Sequence, residues 1–154
     1  MLLADYFLDV FKQKGFEPKI NRERVFQLLL YHDVVEIETG DISIHLEDAR
    51  EGKEEKEKLA IQKLSKEVPK ELEEKLIEMF YEYENHKTIE AKFAKAIDVL
   101  DAQIHEIDYK NDWIGWTADI LYKHKKNKVK EFPILDEFFE ELIDFLKKDG
   151  YFDQ

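Results

Sequence analysis

The chain contains no cysteine. That absence removes disulfides, thiolate zinc sites and cysteine nucleophiles together. It is compatible with a reducing compartment, and the expectation is a cytoplasmic protein. Glycine and proline are scarce, at five and three residues, which leaves little room for turn-rich β structure. Long apolar runs are missing as well. Val25 to Tyr31 is among the longest, far short of the roughly 20 residues a membrane-spanning helix needs. The opening Met1-Leu2-Leu3-Ala4-Asp5 has neither a basic region nor a small-residue cleavage site, so no signal peptide is expected there.

Basic residues are outnumbered, 24 against 36 acidic, for a formal net charge of −12. Such a surface repels a phosphate backbone, which argues against a nucleic-acid polymer as partner. It suits a divalent cation, although a solvated acidic surface is the commoner reason for acidity. There is no glycine-rich phosphate loop and no serine-nucleophile motif.

What the chain does have is helical periodicity. Its 154 residues favour a single domain. Leu3, Tyr6, Phe7, Val10 and Phe11 form one apolar stripe, and Gly15 suits its end. Asn21 reads as an N-cap with Val25, Leu28 and Leu29 behind it. That helix runs into Tyr31-His32-Asp33, continues in short form to about Glu38, and gives way to a loop at Thr39-Gly40-Asp41. The run Glu47 to Lys58 reads as a solvated loop entering an exposed helix, with Glu54 and Lys58 spaced for an ion pair. Pro69 suits the first turn of a helix to about Glu84, and Thr88 caps the next. There Ile89, Phe93, Ala96, Ile97, Leu100 and Ile104 mark the buried face. A further helix is expected over Trp113 to Lys128, with Lys123 to Lys130 as a solvated face. Pro133 opens the last helix and Gly150 closes it. The result is an all-α bundle.

Chemistry concentrates in His32-Asp33-Val34-Val35-Glu36-Ile37-Glu38-Thr39-Gly40-Asp41, one imidazole and four carboxylates. His and Asp ligate hard or borderline divalent cations. By itself a His-Asp dipeptide is more often a cap or a surface ion pair. Here it ends a strongly apolar helix, which suggests a polar pocket set in a core. Glu36, one turn past Asp33, is placed to exchange a proton with an attacking water. His45, His86, His105 and His124 have no partner at ligand spacing and read as surface residues. His105 is the least secure of these, since Asp101 sits four residues before it. Trp113 and Trp116 read as packing anchors.

The string Leu29 to Asp41 resembles the HD motif of HD-domain metal-dependent phosphohydrolases. Glu three residues after the Asp, followed by Thr-Gly-Asp, is similar to the 5'-deoxynucleotidase-like branch. So is the later Tyr81-Glu82-Tyr83-Glu84, with Thr88 and the stretch Glu90 to Leu100. The resemblance covers Met1 to about Ile107 and implies an all-α HD-domain bundle. It implies His32, Asp33 and Asp98 as ligands of one divalent ion, with Mn, Co, Mg, Zn, Fe and Ni not distinguished. It gives Glu36 a role in assisting water, and Asp41 a catalytic or substrate-orienting one. Lys95, one turn before Asp98, is weighed equally as a phosphate contact and as an ordinary solvent-facing lysine. Asp98 could instead be satisfied by an internal lysine or arginine.

The implied activity is hydrolysis of deoxynucleoside 5'-monophosphates to nucleoside and phosphate, by a homodimer. The broad apolar stripe of the last helix, which includes Phe138, Phe139, Ile143 and Phe145, also points to a dimer. One element of the pattern is missing. The family carries a further histidine before the His-Asp pair, and no histidine precedes His32. Either the domain lacks its N-terminal part, the expectation that the apolar phase at Met1 favours, or the ligand has been lost. The second case leaves a weakly active or non-catalytic nucleotide- or metal-binding protein. A different phosphohydrolase acting on more highly phosphorylated nucleotides is a third reading.

Overall fold

Local capping chemistry starts the helices where the sequence places them. Asn21 accepts a hydrogen bond from the backbone N–H of Arg24 at 3.1 Å, and Thr88 accepts one from Ala91 at 3.1 Å. Proline opens the last helix, where its fixed backbone angle and missing N–H cost nothing. The structure, a computed structural model, describes residues 1–15, 19–40 and 52–152. Among them the regular structure is helical. The elements are α1 (Leu2–Gln13), α2 (Arg22–Tyr31), α3 (Glu36–Thr39), α4 (Lys53–Leu64), α5 (Lys70–Asn85), α6 (Ile89–Glu106), α7 (Ala118–Val129) and α8 (Pro133–Lys148), with a 3-10 turn at Lys110–Trp113 between α6 and α7. The expected all-α class is what the chain adopts.

The described residues fall into two units. The first holds Met1, α2 to α5 and the start of α6 to Ala94. Here α2 packs on α5, and α4 packs on both α3 and α5. Leu28, Met79, Tyr83, Ala91 and Ala94 form one apolar cluster. Val35, Ala60, Ile61, Leu64, Leu76 and Phe80 form another. A fully buried side chain of this size contributes roughly 1.5–3 kcal/mol. The polar side of the α2–α5 contact is held by Arg24, whose guanidinium donates to both Glu82 and Glu78. Glu82 also accepts from the Thr88 hydroxyl at 2.7 Å. The arginine therefore ties α2 to α5 and, through Glu82, to the cap of α6.

The second unit holds α1, α6 from Lys95 onward, the 3-10 turn, α7 and α8. Phe7 meets Phe138 edge-on at 5.2 Å, and Phe11 stacks on Phe132 at 6.2 Å. On α7 and α8, Leu121, Val129, Leu135, Phe139 and Ile143 are fully buried. The breadth of the α8 stripe is thus largely used within the chain.

Several expectations need correction. Tyr6 leaves the α1 stripe and is 60% exposed. The helix expected to continue through His32 breaks. Residues 32–35 are turns tightened by bonds such as Glu36 N–H to the Asp33 carbonyl, 2.9 Å, before the four residues of α3. α4 is exposed on one side only, since Ala60, Ile61 and Leu64 are buried. The helix expected from Trp113 begins five residues later. Gly115 takes φ 85°, and Thr117 caps α7 by accepting from Ile120 N–H at 3.2 Å. Lys125 departs furthest from its expected solvated face, being buried.

Candidate functional site

α2 delivers His32 at its C-terminal end, where the His32 backbone N–H still bonds to the Leu28 carbonyl at 3.0 Å. The imidazole is fixed on two sides. Its Nδ1 lies 3.0 Å from the Leu29 carbonyl oxygen. The ring also packs against the buried ring of Tyr83 at 5.1 Å. A carbonyl only accepts, so Nδ1 carries the proton and Nε2 presents its lone pair in the neutral ring. That lone pair faces Oδ1 of Asp33 at 3.0 Å. Two electron-rich atoms at this distance are stable only with a cation between or beside them, either a proton or a metal. A metal-bound histidine characteristically donates its other ring N–H to a carbonyl or carboxylate. The donor set therefore fits a divalent cation. Among the described residues, no group of three or more His, Asp and Glu side chains is gathered around one point.

Glu36 opens α3 one turn beyond Asp33. Its carboxylate is 4.0 Å from the Lys53 ammonium, which also contacts Glu57 at 3.3 Å. Lys53 was not singled out from the sequence, because the segment joining it to α3 gives no spacing to reason from. Asp41 and His45 lie outside the described residues.

In the second unit, Lys95 donates to Asp98 Oδ2 at 3.0 Å, and both side chains are about three-quarters buried. The internal lysine partner left open for Asp98 is thus present. Lys95 also faces a carboxylate rather than open solvent. The remaining candidates stay peripheral. His105 is exposed and meets the Tyr109 ring at 5.6 Å, whereas His86 and His124 are half-buried rather than on the surface. His86 ends α5 in a left-handed conformation, φ 48°, with its ring 5.8 Å from Tyr83. Trp113 and Trp116 are buried packing residues, 6.1 Å apart.

The second unit also contains a polar residue that sequence reasoning passed over. Lys125 keeps only 7% of its surface, and burial pushes its ammonium down to about 8. Glu106, Asp98 and Lys95 on α6 act on it electrostatically. Burial likewise raises the Glu106 carboxyl above the usual carboxylate range. The available signal was register. Lys125 stands four residues after Leu121 and four before Val129, within the apolar stripe of α7.

The model of a family described as "HD domain" matches residues 7–136. The chain is 35% identical over 94 residues to 5'-deoxynucleotidase HDDC2 of Xenopus laevis, covering 61% of this chain and 47% of that protein. It is 33% identical over 131 residues to 5'-deoxynucleotidase hdd1 of Schizosaccharomyces pombe, covering 82% and 66%. The chain spans about half the length of most of the curated relatives it matches. Among solved structures it resembles the crystal structure of a predicted metal-dependent phosphohydrolase from Magnetospirillum magnetotacticum MS-1. The TM-score is 0.81 at 27% identity, covering 99% of this chain and 76% of that one.

Proposed function

This chain belongs to the HD-domain family, and from that premise we propose that it is a metal-dependent phosphohydrolase of deoxynucleoside 5'-monophosphates. The observation that carries the proposal is the His32–Asp33 pair, with its electron-rich atoms 3.0 Å apart and the other imidazole nitrogen committed to a carbonyl. The names of the relatives support the substrate class.

His32 and Asp33 would hold one divalent ion, and Asp98 is proposed as the third ligand on the resemblance of its segment to the family pattern. The ion, when bound, supplies polarisation of a phosphoryl oxygen and charge stabilisation. Glu36 takes the proton of the attacking water as the new P–O bond forms, and that proton passes to the sugar 5'-oxygen as its bond to phosphorus breaks. Lys53, 4.0 Å from Glu36 and 3.3 Å from Glu57, ties the Glu36 carboxylate to the first turn of α4. Leu29 and Tyr83 fix the ring of His32 so that Nε2 is turned toward Asp33, where the ion would be held. Asp41 is proposed to orient the sugar.

A homodimer in the cytoplasm completes the proposal. Among the described residues, no helix is long and apolar enough to cross a membrane. Light scattering that gives a monomer mass at micromolar concentration removes the dimer. The activity is tested by phosphate release from a panel of deoxynucleoside 5'-monophosphates with manganese or cobalt present. Release above that of the same mixture without protein supports the reading. No release from any of them by metal-loaded protein contradicts it.

A further inference from the structure

α7 buries a lysine where its neighbours in the stripe are Leu121 and Val129. The ammonium of Lys125 lies 5.4 Å from the centre of the Trp116 ring, a cation held against an aromatic face. Its electrostatic neighbours are Glu106, Asp98 and Lys95. None of them discharges it directly. Asp98 is already paired with Lys95 at 3.0 Å. The Glu106 carboxylate accepts from Gln103 Nε2 at 3.0 Å, and the Glu106 backbone carbonyl accepts from the Trp113 indole at 2.9 Å. Among the described residues, no ion pair or hydrogen bond is made by the Lys125 ammonium. An ammonium has three donors and no acceptor. Burying one without an acceptor is expensive, and a lysine kept only for packing would be cheaper as methionine or leucine. A lysine kept for a structural ion pair would be expected within pairing distance of its carboxylate. The arrangement is that of a cation waiting for an anion.

We propose that Lys125 is a phosphate-binding residue that, together with Lys95, engages the dianionic phosphoryl group of a phosphomonoester at the face of α6 carrying Asp98. This rests on the phosphohydrolase reading above and adds to it the group that receives the phosphate charge. Lys125 brings the charge that no ion pair among the described residues takes up, and Lys95 brings one that it shares with Asp98. The Trp116 face flanks the ammonium, and the low exposure of Lys125 strengthens a charge-assisted bond made there.

The test uses inorganic phosphate as the probe, titrated calorimetrically into the whole protein and into Lys125→Met. Methionine keeps the length and removes the charge. The expected result is affinity weakened roughly ten- to hundredfold, the worth of one hydrogen bond to a charged group. The melting temperature should be equal or higher, because a costly buried charge is gone. Unchanged phosphate affinity overturns the proposal. A structural ion-pair role predicts that pattern together with a lowered melting temperature. If Lys125→Met fails to fold, the Lys125 side-chain resonance of wild-type protein is followed by NMR as phosphate is added. A saturable shift supports the proposal and no shift overturns it. Phosphate release is assayed separately. Lys125-dependent phosphate binding without hydrolysis of any deoxynucleoside monophosphate fails the phosphohydrolase reading and leaves the anion site standing. Hydrolysis with Lys125-independent phosphate binding does the reverse.

Discussion

Nε2 of His32 and Oδ1 of Asp33 stand 3.0 Å apart, while the other nitrogen of the same ring is 3.0 Å from the carbonyl of Leu29. The carbonyl fixes the tautomer, and the tautomer turns a lone pair toward a carboxylate. Without a cation this is a repulsive contact. A proton there makes an ion pair, and a metal in its place would take both atoms as ligands.

Tyr83 stabilises that geometry by packing rather than by ligation. Its ring is 5.1 Å from His32 and only 3% exposed. Tyr83→Leu keeps apolar bulk but removes the flat surface under the imidazole. Metal affinity should fall by about tenfold, the lower range for loss of a supporting contact, with the helical circular-dichroism signal retained. Unchanged affinity would show that the Tyr83 ring does not orient the imidazole.

Arg24 joins three helices through Glu78, Glu82 and, via Glu82, Thr88. Its side chain is 25% exposed and that of Glu82 15%, so solvent screens the pair only in part. Arg24→Met leaves the Glu82 carboxylate without its main partner. The expected loss is about 2 kcal/mol, or roughly 4–8 °C in melting temperature for a domain of this size. A shift under about 1 °C would mean that solvent replaces the arginine at little cost.

Glu36 is assigned a proton rather than a fold. Glu36→Gln keeps size and polarity and removes the base. Turnover should fall by about 10²–10⁴-fold with metal content unchanged. Equal turnover would move the base elsewhere.

Lys125 gives stability a pH dependence of defined sign. Its folded value is lowered from 10.5 to about 8 by burial. The unfolded chain therefore holds more protons between about pH 8 and 10.5, and this residue's contribution to stability rises with pH across that window. Below it the residue costs on the order of 3 kcal/mol. Tyr122 runs the other way. Its hydrogen bond to Glu140 raises it to about 12, so its contribution falls as pH rises from 10. The difference between wild type and Lys125→Met, measured by urea unfolding from pH 7 to 9.5, isolates the lysine and should narrow as pH rises. A constant difference would show that Lys125 is not desolvated.

Legibility followed the range of the interactions involved. Asn21, Thr88 and Pro133 act on their own first turns, so their roles could be read from a few neighbouring residues. The His32–Asp33–Glu36 spacing was equally local. The break between α2 and α3 was not visible, because no glycine or proline marks it and the tightened bonds depend on Val35 being drawn into a core cluster. The late start of α7 was readable in principle from Gly115 and Thr117, but the apolar Trp113 and Trp116 mimicked a helical stripe. Lys125 was obscured by five lysines in an eight-residue run. Burial depends on what packs against a helix, and only the i, i+4 relation to Leu121 and Val129 hinted at it.

Metal binding by His32 and Asp33 underlies every proposed role at this site. Elemental analysis of wild type and Asp33→Ala, each purified and dialysed alongside the other, tests it most directly. Asp33 is largely exposed, at 62% of its side chain, so its loss should leave the helical signal intact. The predicted result is metal bound in wild type and lost in Asp33→Ala. Equal occupancy in the two proteins would contradict the assignment.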